Sequence, residues 1–235
     1  MSLSREMNLA LNWVLNELVP PLIRDRRWFG WLITRLLYKE KAPIYMGFHA
    51  RVAEMSDAEF ADVYREIQST ALARPTDLND ASVALIRAHI VGNQVLEVGC
   101  GRGHLSGILA SDGHAVTGCD VALASGLAEK FPNVTCIESP AEKLPFVDGA
   151  FDTVVSTHML EHVRDLTAVL AELRRVAKRR LVIVVPRERP HFYTPNLHIH
   201  FFPYRYSLLL AFKPKPGSYT LADAGGDWFY VEERG

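Results

Sequence analysis

The sequence predicts an α/β protein: a Rossmann-like, seven-stranded and mostly parallel sheet with helices on both faces, preceded by an N-terminal helical extension. Short apolar runs and helical patterns alternate through residues 79–186, which is typical of βαβ units. A glycine turn, with Gly99, Gly101 and Gly103, joins the first run (95–98) to a helix starting near Leu105. Residues 1–78 show only helical patterns. We therefore expect a helical cap over 1–78 and an α/β domain over 79–235.

Composition narrows the class of protein. The chain has 235 residues, of which 49% are hydrophobic and 23% charged, as in ordinary globular proteins. A formal net charge of −1 gives no field that would recruit nucleic acid. Cys100, Cys119 and Cys136 lack metal-site spacing, which favours reduced thiols in a cytoplasmic protein. No apolar run has the length of a spanning helix, and no segment has the pattern of a secretory signal.

The segment 8–38 is apolar, aromatic and basic at once. Pro20 and Pro21 should divide it into two helices. Residues 22–41 hold six Lys/Arg against two Asp/Glu. Trp and Arg on an amphipathic helix are typical of contact with a membrane surface. A cap packed on the catalytic domain is the alternative, and both can hold if the substrate is lipid-linked. Further on, Ser56 and Glu59 predict a capping box at the start of a helix that runs to about residue 69. Asn79 or Asp80 can cap a second helix that runs to Ile90.

The first turn favours a cationic ligand. A dinucleotide fingerprint needs glycine where His104 stands, and no Gly-Lys-Ser/Thr follows as in a P-loop. Instead Glu97 precedes Gly99 by two residues. Asp120 ends the second strand (115–119), where an acid can accept both ribose hydroxyls. Its alternative role is the cap of a helix over 122–131.

The remaining elements complete a doubly wound order. Strands are predicted at 134–137, 151–156 and 181–186, with a helix from Asp165 to about Ala177 and another over 206–212. Segments 218–221 and 227–231 predict an antiparallel edge pair. The basic end of the helix that Asp165 begins suits the negative end of its dipole better than a nucleic-acid patch.

Together these motifs resemble the small-molecule branch of class I S-adenosylmethionine-dependent methyltransferases, type 11-like. The resemblance rests on Glu97-x-Gly-x-Gly-x-Gly, on Asp120 and on Ala141-Glu-Lys-Leu-Pro-Phe followed by Phe151-Asp-Thr-Val. It covers residues 79–186 well. It departs from the family at Pro140, where an acid often stands, and in lacking a Pro-Gly-Gly turn before the fifth strand. It implies S-adenosylmethionine as cofactor, held by a set of residues along the strand ends: Glu97, Gly99, Cys100, Gly101, Asp120, Val121, Ala141, Glu142 and Thr157.

Catalytic candidates follow the fourth strand, because open parallel sheets bind ligands at the carboxyl ends of their strands. His158, Glu161 and His162 share one face if this turn is helical. The pattern H-x-x-E-H also occurs in zinc peptidases, a reading that the preceding strand order excludes. It is similar to the E-x-x-E-H with which some of these methyltransferases bind a divalent metal. Three readings stay open: His158 as base or acceptor-orienting group, a metal site, and a brace for the next helix.

His198 is a further candidate, for catalysis or as a metal ligand. It lies in the aromatic and histidine-rich segment 191–203, where alternation places His198 and His200 on one strand face. In the family this connection helps wall the acceptor pocket. The alternative is a buried loop with satisfied histidines.

The sequence therefore predicts methyl transfer to a small or lipid-linked hydroxylated acceptor, most simply O-methylation in the cytoplasm or at the inner membrane surface. The alternatives are N- or C-methylation in cofactor or natural-product synthesis, and a binding or scaffold protein that has lost catalysis. Amino-group methyltransferases of DNA place Asp/Asn-Pro-Pro-Tyr after the fourth strand, where this chain has Thr157-His158-Met-Leu.

Overall fold

The computed structural model describes residues 13–68, 76–190 and 196–234, which form two compact units. One consists of the described residues of Met1–Arg74 and of Glu188–Pro203; the other of those of Pro75–Arg187 and Tyr204–Gly235. The sequence places the division at 78/79 and assigns 188–203 to the α/β domain. The structure instead assigns that segment to the helical unit.

The helical unit contains five helices in its described part. Pro20 separates the first two, as the sequence predicts, and Ser56 exchanges hydrogen bonds with Glu59 in the expected capping box. A 3₁₀ turn, Lys39–Lys41, joins the third helix to the fourth. The helices are α1 (Val14–Leu18, π-helical), α2 (Pro21–Arg24), α3 (Arg27–Tyr38), α4 (Ala42–Arg51) and α5 (Asp57–Gln68).

A small aromatic core explains why 188–203 joins these helices. Leu197 is buried with Tyr45 and Phe48 of α4, and Ile199 packs against the same cluster. Tyr45 stacks on Tyr38, with ring centroids 3.8 Å apart. Burial of large apolar side chains is the dominant stabilising term, so this packing overrides the proximity of the segment to the fifth strand along the chain.

The second unit is the predicted α/β domain. Its strands are β1 (Gln94–Val98), β2 (Ala115–Asp120), β3 (Val134–Glu138), β4 (Phe151–Thr157), β5 (Ala177–Pro186), β6 (Tyr219–Asp223) and β7 (Asp227–Glu233). They form one seven-stranded sheet in the order β3-β2-β1-β4-β5-β7-β6. All pairings are parallel except β5–β7 and β6–β7, which are antiparallel. The predicted edge pair is therefore confirmed.

Helices cover both faces of this sheet. They are α6 (Asp80–His89), α7 (His104–Ser111), α8 (Leu127–Lys130), α9 (Leu166–Val176) and α10 (Arg205–Phe212). Val182 and Val184 of β5 share a core with Ile86 of α6 and Leu105 of α7. Successive strand side chains point to opposite faces, so Leu181 and its alternates lie on the other side, where α9 contacts β5. Residues 181–185 are fully buried, as a strand covered on both faces requires.

One predicted helix is much shorter than expected. The pattern over 122–131 yields only α8, and its N-cap is Gly126, which has a left-handed φ of 74°. Asp120 therefore does not cap that helix, and its alternative role is wrong. Among the described residues, no helix has both the length and the apolar character needed to cross a membrane.

Candidate active site

The candidate site lies where β1, β2 and β4 end. These strands are parallel neighbours, so their carboxyl ends meet at one edge of the sheet. Glu97 belongs to β1, Asp120 ends β2 and Thr157 ends β4. The sheet thus brings together three predicted site residues that are far apart in sequence.

The glycine turn after β1 has the backbone that its sequence predicts. Gly99, Gly101 and Gly103 all have positive φ, at 80°, 50° and 69°, a region that side chains with a Cβ avoid. A Cβ on Gly99 would lie 2.6 Å from Met159, and one on Gly103 would lie 2.4 Å from Leu127. A Cβ on Gly101 would meet no atom within 4 Å. Gly101 therefore borders open space, where a ligand can touch the backbone directly.

Asp120 joins the end of β2 to this turn. Its Oδ2 accepts a hydrogen bond of 2.8 Å from the Gly101 backbone N–H, and its Oδ1 accepts one of 3.1 Å from Ala122. Burial raises the pKa of Asp120, against the lowering effect of these backbone donors. Each carboxylate oxygen has a second lone pair, so Asp120 can position the turn and still accept ribose hydroxyls. Val121 lies beside it, half-buried.

Glu97 is more deeply buried than its predicted role suggests. Its Oε2 accepts a short hydrogen bond from the hydroxyl of Ser106, in the first turn of α7. Burial raises the pKa of Glu97 to about 8, although the bonds from Ser106 oppose this shift. Cys100 is also buried, and burial raises the pKa of its thiol, so this cysteine stays protonated. Glu97 thus ties the strand end to the start of α7.

Two residues of α9 hold the loop 139–149 between β3 and β4, which contains the predicted cofactor residues Ala141 and Glu142. Arg175 donates to the carbonyl oxygens of Phe146 and Leu144, at 2.7 and 3.1 Å. Glu172 accepts from the Leu144 backbone N–H at 2.9 Å and pairs with Arg175 at 2.7 Å. Within this loop Ala141 is half-buried and Glu142 is exposed. The loop is thus anchored on its α9 side.

His158 follows β4 directly and has a left-handed φ of 49°. Its Nδ1 lies 3.4 Å from Oε1 of Glu161, and its Nε2 lies 3.4 Å from Oδ2 of Asp227, at the start of β7. Burial lowers the pKa of His158, but contacts with Asp227 and Glu161 outweigh burial and raise that pKa to about 10. His158 is therefore protonated at neutral pH, which favours an orienting role over that of a base.

The turn after His158 is not helical. His158, Glu161 and His162 therefore do not share a helix face, as they would if the turn were helical. The left-handed His158 leads into a tight turn, in which the His162 N–H donates to the Met159 carbonyl at 2.9 Å. Glu161 is fully buried and His162 half-buried. Glu161 nevertheless contacts His158, because a tight turn also brings residues three apart together.

His198 belongs to the helical unit, in the described part of the segment 191–203; residues 191–195 lie outside the described residues. Its Nδ1 lies 2.6 Å from the carboxylate of Glu188, which is buried. The Asn196 side-chain amide donates to both oxygens of Glu188, at 3.0 and 3.1 Å. A carboxylate on one ring nitrogen fixes the orientation of the ring.

Sequence patterns did not reveal four of these residues, namely Asp227, Glu188, Glu172 and Arg175. Asp227 lies almost 70 positions after His158 in the chain, and only the pairing of β7 with β5 brings the two together. Glu172 and Arg175 have i, i+3 spacing on α9, which was the one signal available in advance.

Comparison with known proteins places these features in a family. Residues 96–185 match a family described as a methyltransferase domain. A ubiquinone biosynthesis O-methyltransferase of Pseudomonas aeruginosa is 37% identical over 115 residues, which cover 43% of this chain and 48% of that protein. A demethylmenaquinone methyltransferase of Tropheryma whipplei is 30% identical over 151 residues, covering 60% of this chain and 62% of that protein. The alignments thus span from about half to under two thirds of these relatives.

Solved structures share the fold. The 1,6-didemethyltoxoflavin-N1-methyltransferase of Burkholderia thailandensis, solved with its substrate and S-adenosylhomocysteine, superposes with a TM-score of 0.55 at 19% identity, covering 75% of this chain and 86% of that one. A methyltransferase from Aquifex aeolicus gives a TM-score of 0.54 at 18% identity, covering 73% of this chain and 98% of that one. At these identities the likeness concerns the fold alone.

Proposed function

We propose that the chain is a class I S-adenosylmethionine-dependent methyltransferase, in line with the methyltransferase-domain match over residues 96–185, and that it methylates a small hydroxylated acceptor with S-adenosylmethionine as donor. The observation that carries the proposal is the glycine turn, where Gly101 borders open space and Asp120 holds its backbone. A sulfonium donor supplies an electrophilic methyl group: the acceptor oxygen attacks its carbon in line, the carbon–sulfur bond breaks, and S-adenosylhomocysteine leaves.

The residues at the strand ends suit such a donor. Gly101 offers an open stretch of backbone, with Gly99 and Cys100 beside it in the turn, and Asp120 with Val121 would hold the ribose. Ala141, Glu142 and Thr157 would border the adenine and the reacting end. Glu97 is buried and accepts from Ser106, so we assign it the positioning of the end of β1 against α7.

Acceptor chemistry is assigned to the residues after β4 and to His198. His158, whose two ring nitrogens face carboxylates, would orient the acceptor beside the end of β4 by its fixed position and its charge. His198, oriented by Glu188, is a separate candidate for the general base that takes a hydroxyl proton. Glu161 would hold His158 in place, and His162 is a further candidate in the same turn. In-line transfer needs mainly orientation and exclusion of water, so a single base suffices.

O-methylation is the reaction supported best by the P. aeruginosa relative, which is named an O-methyltransferase. The N1-methyltransferase fold neighbour makes N-methylation the competing outcome, and C-methylation a third. We further propose that the acceptor is lipid-linked, met at the inner membrane surface through the segment 8–38; residues 8–12 of it lie outside the described residues. A divalent metal held by His158, Glu161, His162 or His198 is the alternative to a histidine base.

The decisive experiment measures donor binding and transfer separately. Calorimetry should show S-adenosylhomocysteine binding to the full chain, and the Asp112→Asn variant, altered far from the turn, should bind equally. Mass spectrometry with hydroxylated and demethylated quinones should show a gain of one methyl group. Absence of donor binding would leave only the scaffold reading. Turnover that a chelator abolishes would replace the histidine base with a metal.

A further inference from the structure

Helix α3 turns its largest apolar side chains outward. Trp28, Leu32 and Leu36 are 61%, 50% and 71% exposed, whereas the small residues Gly30 and Thr34 are buried. Helical spacing places 28, 32 and 36 in one stripe, with the exposed Arg35 inside it. A helix that packs on a protein core normally has the reverse arrangement.

The same pattern extends over the preceding helices. Among the described residues, eight of the twelve exposed large hydrophobic side chains lie between positions 13 and 36. We define the outer face as these side chains: Trp13, Val14, Leu18, Leu22, Ile23, Trp28, Leu32 and Leu36. Scattered single apolar residues need no explanation, but three large ones in a stripe along one helix, Trp28, Leu32 and Leu36, are typical of an interaction surface.

The exposed charges of α3 and of the residue before it are of one sign. Arg26, Arg27 and Arg35 are exposed, and the sequence of α3 contains no acidic residue. Asp25, between α2 and α3, is the one acidic residue from the start of α2 to the end of α3. It lies 3.5 Å from Arg24. A partner must therefore accept Trp and Leu side chains and also supply anions beside them.

We propose that the outer face docks on a bilayer containing anionic phospholipids, with α2 and α3 lying in its interface. Trp prefers the headgroup level, and Arg35 can extend its stem over apolar surface while its guanidinium reaches a lipid phosphate. A protein interface with the same stripe would bury Arg35 and would have to supply a carboxylate for it. The inference deepens the proposed function, since the choice of a lipid partner rests on a lipid-linked acceptor.

Vesicle flotation of the full chain tests the proposal. We expect the chain to float with vesicles of phosphatidylcholine and phosphatidylglycerol, and weakly or not at all with phosphatidylcholine alone. The double variant Leu32→Asp/Leu36→Asp should lose at least ten-fold in affinity. Leu210→Asp is the matched control, because Leu210 is 70% exposed on α10, outside this face, and its loss should change nothing.

Two further measurements separate charge from apolar contact. Replacing Arg26, Arg27 and Arg35 by Gln should weaken binding by about five-fold per residue and reduce its dependence on salt. Brominated lipids should quench the tryptophan fluorescence of the chain, and less so in Trp28→Phe. Circular dichroism of each variant should match the unaltered chain, since the changes are on exposed side chains.

The proposal is overturned if the double Asp variant floats like the unaltered chain, or if neutral vesicles bind equally well. It is also overturned if light scattering shows a stable dimer that this variant converts to monomer without any vesicle binding, because the face is then covered by a second copy. Loss of donor binding with intact flotation would refute the methyltransferase proposal and leave the docking face standing.

Discussion

Nε2 of His158 lies 3.4 Å from Oδ2 of Asp227, so the first residue of β7 holds the residue that follows β4. Asp227 also accepts a hydrogen bond of 3.1 Å from Asn79, whose own Oδ1 caps α6 at the Ser82 N–H. One carboxylate therefore links a candidate catalytic histidine, the antiparallel edge of the sheet and the start of the domain. Its effects on chemistry and on stability are testable separately.

The Asp227→Asn variant should lower the pKa of His158 from about 10, because it removes one of the two carboxylates that raise that pKa. We expect a decrease of roughly one unit or more. Nuclear magnetic resonance of the imidazole C–H signals follows this pKa, with His158→Gln identifying the signal. An unchanged pKa would show that Glu161 alone sets the charge of His158.

The same contact makes stability depend on pH. A histidine whose folded pKa exceeds its unfolded value of about 6.5 stabilises the fold below that pH, and this contribution is lost as pH rises through about 10. Denaturant unfolding at pH values between about 6.5 and 10 should show a smaller decline of the unfolding free energy in Asp227→Asn than in the unaltered chain. Equal declines in the two proteins would contradict the ion contact.

Glu97 should give a second pH dependence at lower pH. Its folded pKa of about 8 lies above the usual value of 4.5, so the folded state holds the proton more tightly. The unfolding free energy should fall as pH rises from about 4.5 to about 8, by roughly 5 kcal/mol at most. Glu97→Gln cannot ionise and should lack this decline. The exposed Glu129→Gln should keep it, and a decline that persists in Glu97→Gln would refute the assignment.

We expect Asp120 to raise the affinity for the donor in two ways: it would accept the ribose hydroxyls, and it holds the turn by accepting from the Gly101 N–H. Asp120→Ala should weaken S-adenosylhomocysteine binding at least ten-fold in calorimetry, equivalent to about 1.4 kcal/mol or more. Asp120→Asn keeps one acceptor oxygen and should lose less. If both variants bind as the unaltered chain does, the donor does not occupy this turn.

The sequence predicted the sheet well because its signals are local. Apolar runs, the glycine turn and the Asn79 cap each depend on neighbouring residues, and so do the edge strands predicted at 218–221 and 227–231. The division between the units was not local. Leu197 joins the helical unit through packing on Tyr45 and Phe48, which no pattern within 191–203 indicates.

The candidate site divides in the same way. Glu97, Gly101 and Asp120 stand at strand ends and were predictable from motif spacing. The charge of His158 depends on Asp227, which β7 supplies from near the end of the chain, and the orientation of His198 depends on the burial of Glu188. Spacing therefore named the candidate histidines but not their protonation, since protonation depends on partners distant in sequence.

Arg175 offers a test of how α9 supports the donor site. It donates to the backbone of the 139–149 loop at Leu144 and Phe146, and pairs with Glu172 and with the exposed Asp148 at 2.9 Å. Arg175→Ala should weaken donor binding by about ten-fold, because the loop loses several charge-assisted hydrogen bonds. Arg175→Lys should restore little, since an ammonium lacks the planar set of donors that reaches these acceptors together.

The neighbouring Arg174 provides the matched control on the same helix. It contacts Glu232 at 2.8 Å and the Phe212 carbonyl, away from the loop. Arg174→Ala should therefore lower the melting temperature and leave donor affinity unchanged. Amide hydrogen exchange should become faster at Leu144 and Gly149 in Arg175→Ala only. The Leu144 N–H donates to Glu172, and the Gly149 N–H donates to the Arg175 carbonyl, in a segment that the Arg175 side chain supports. Equal losses of donor affinity in the two variants would mean that α9 acts through stability alone.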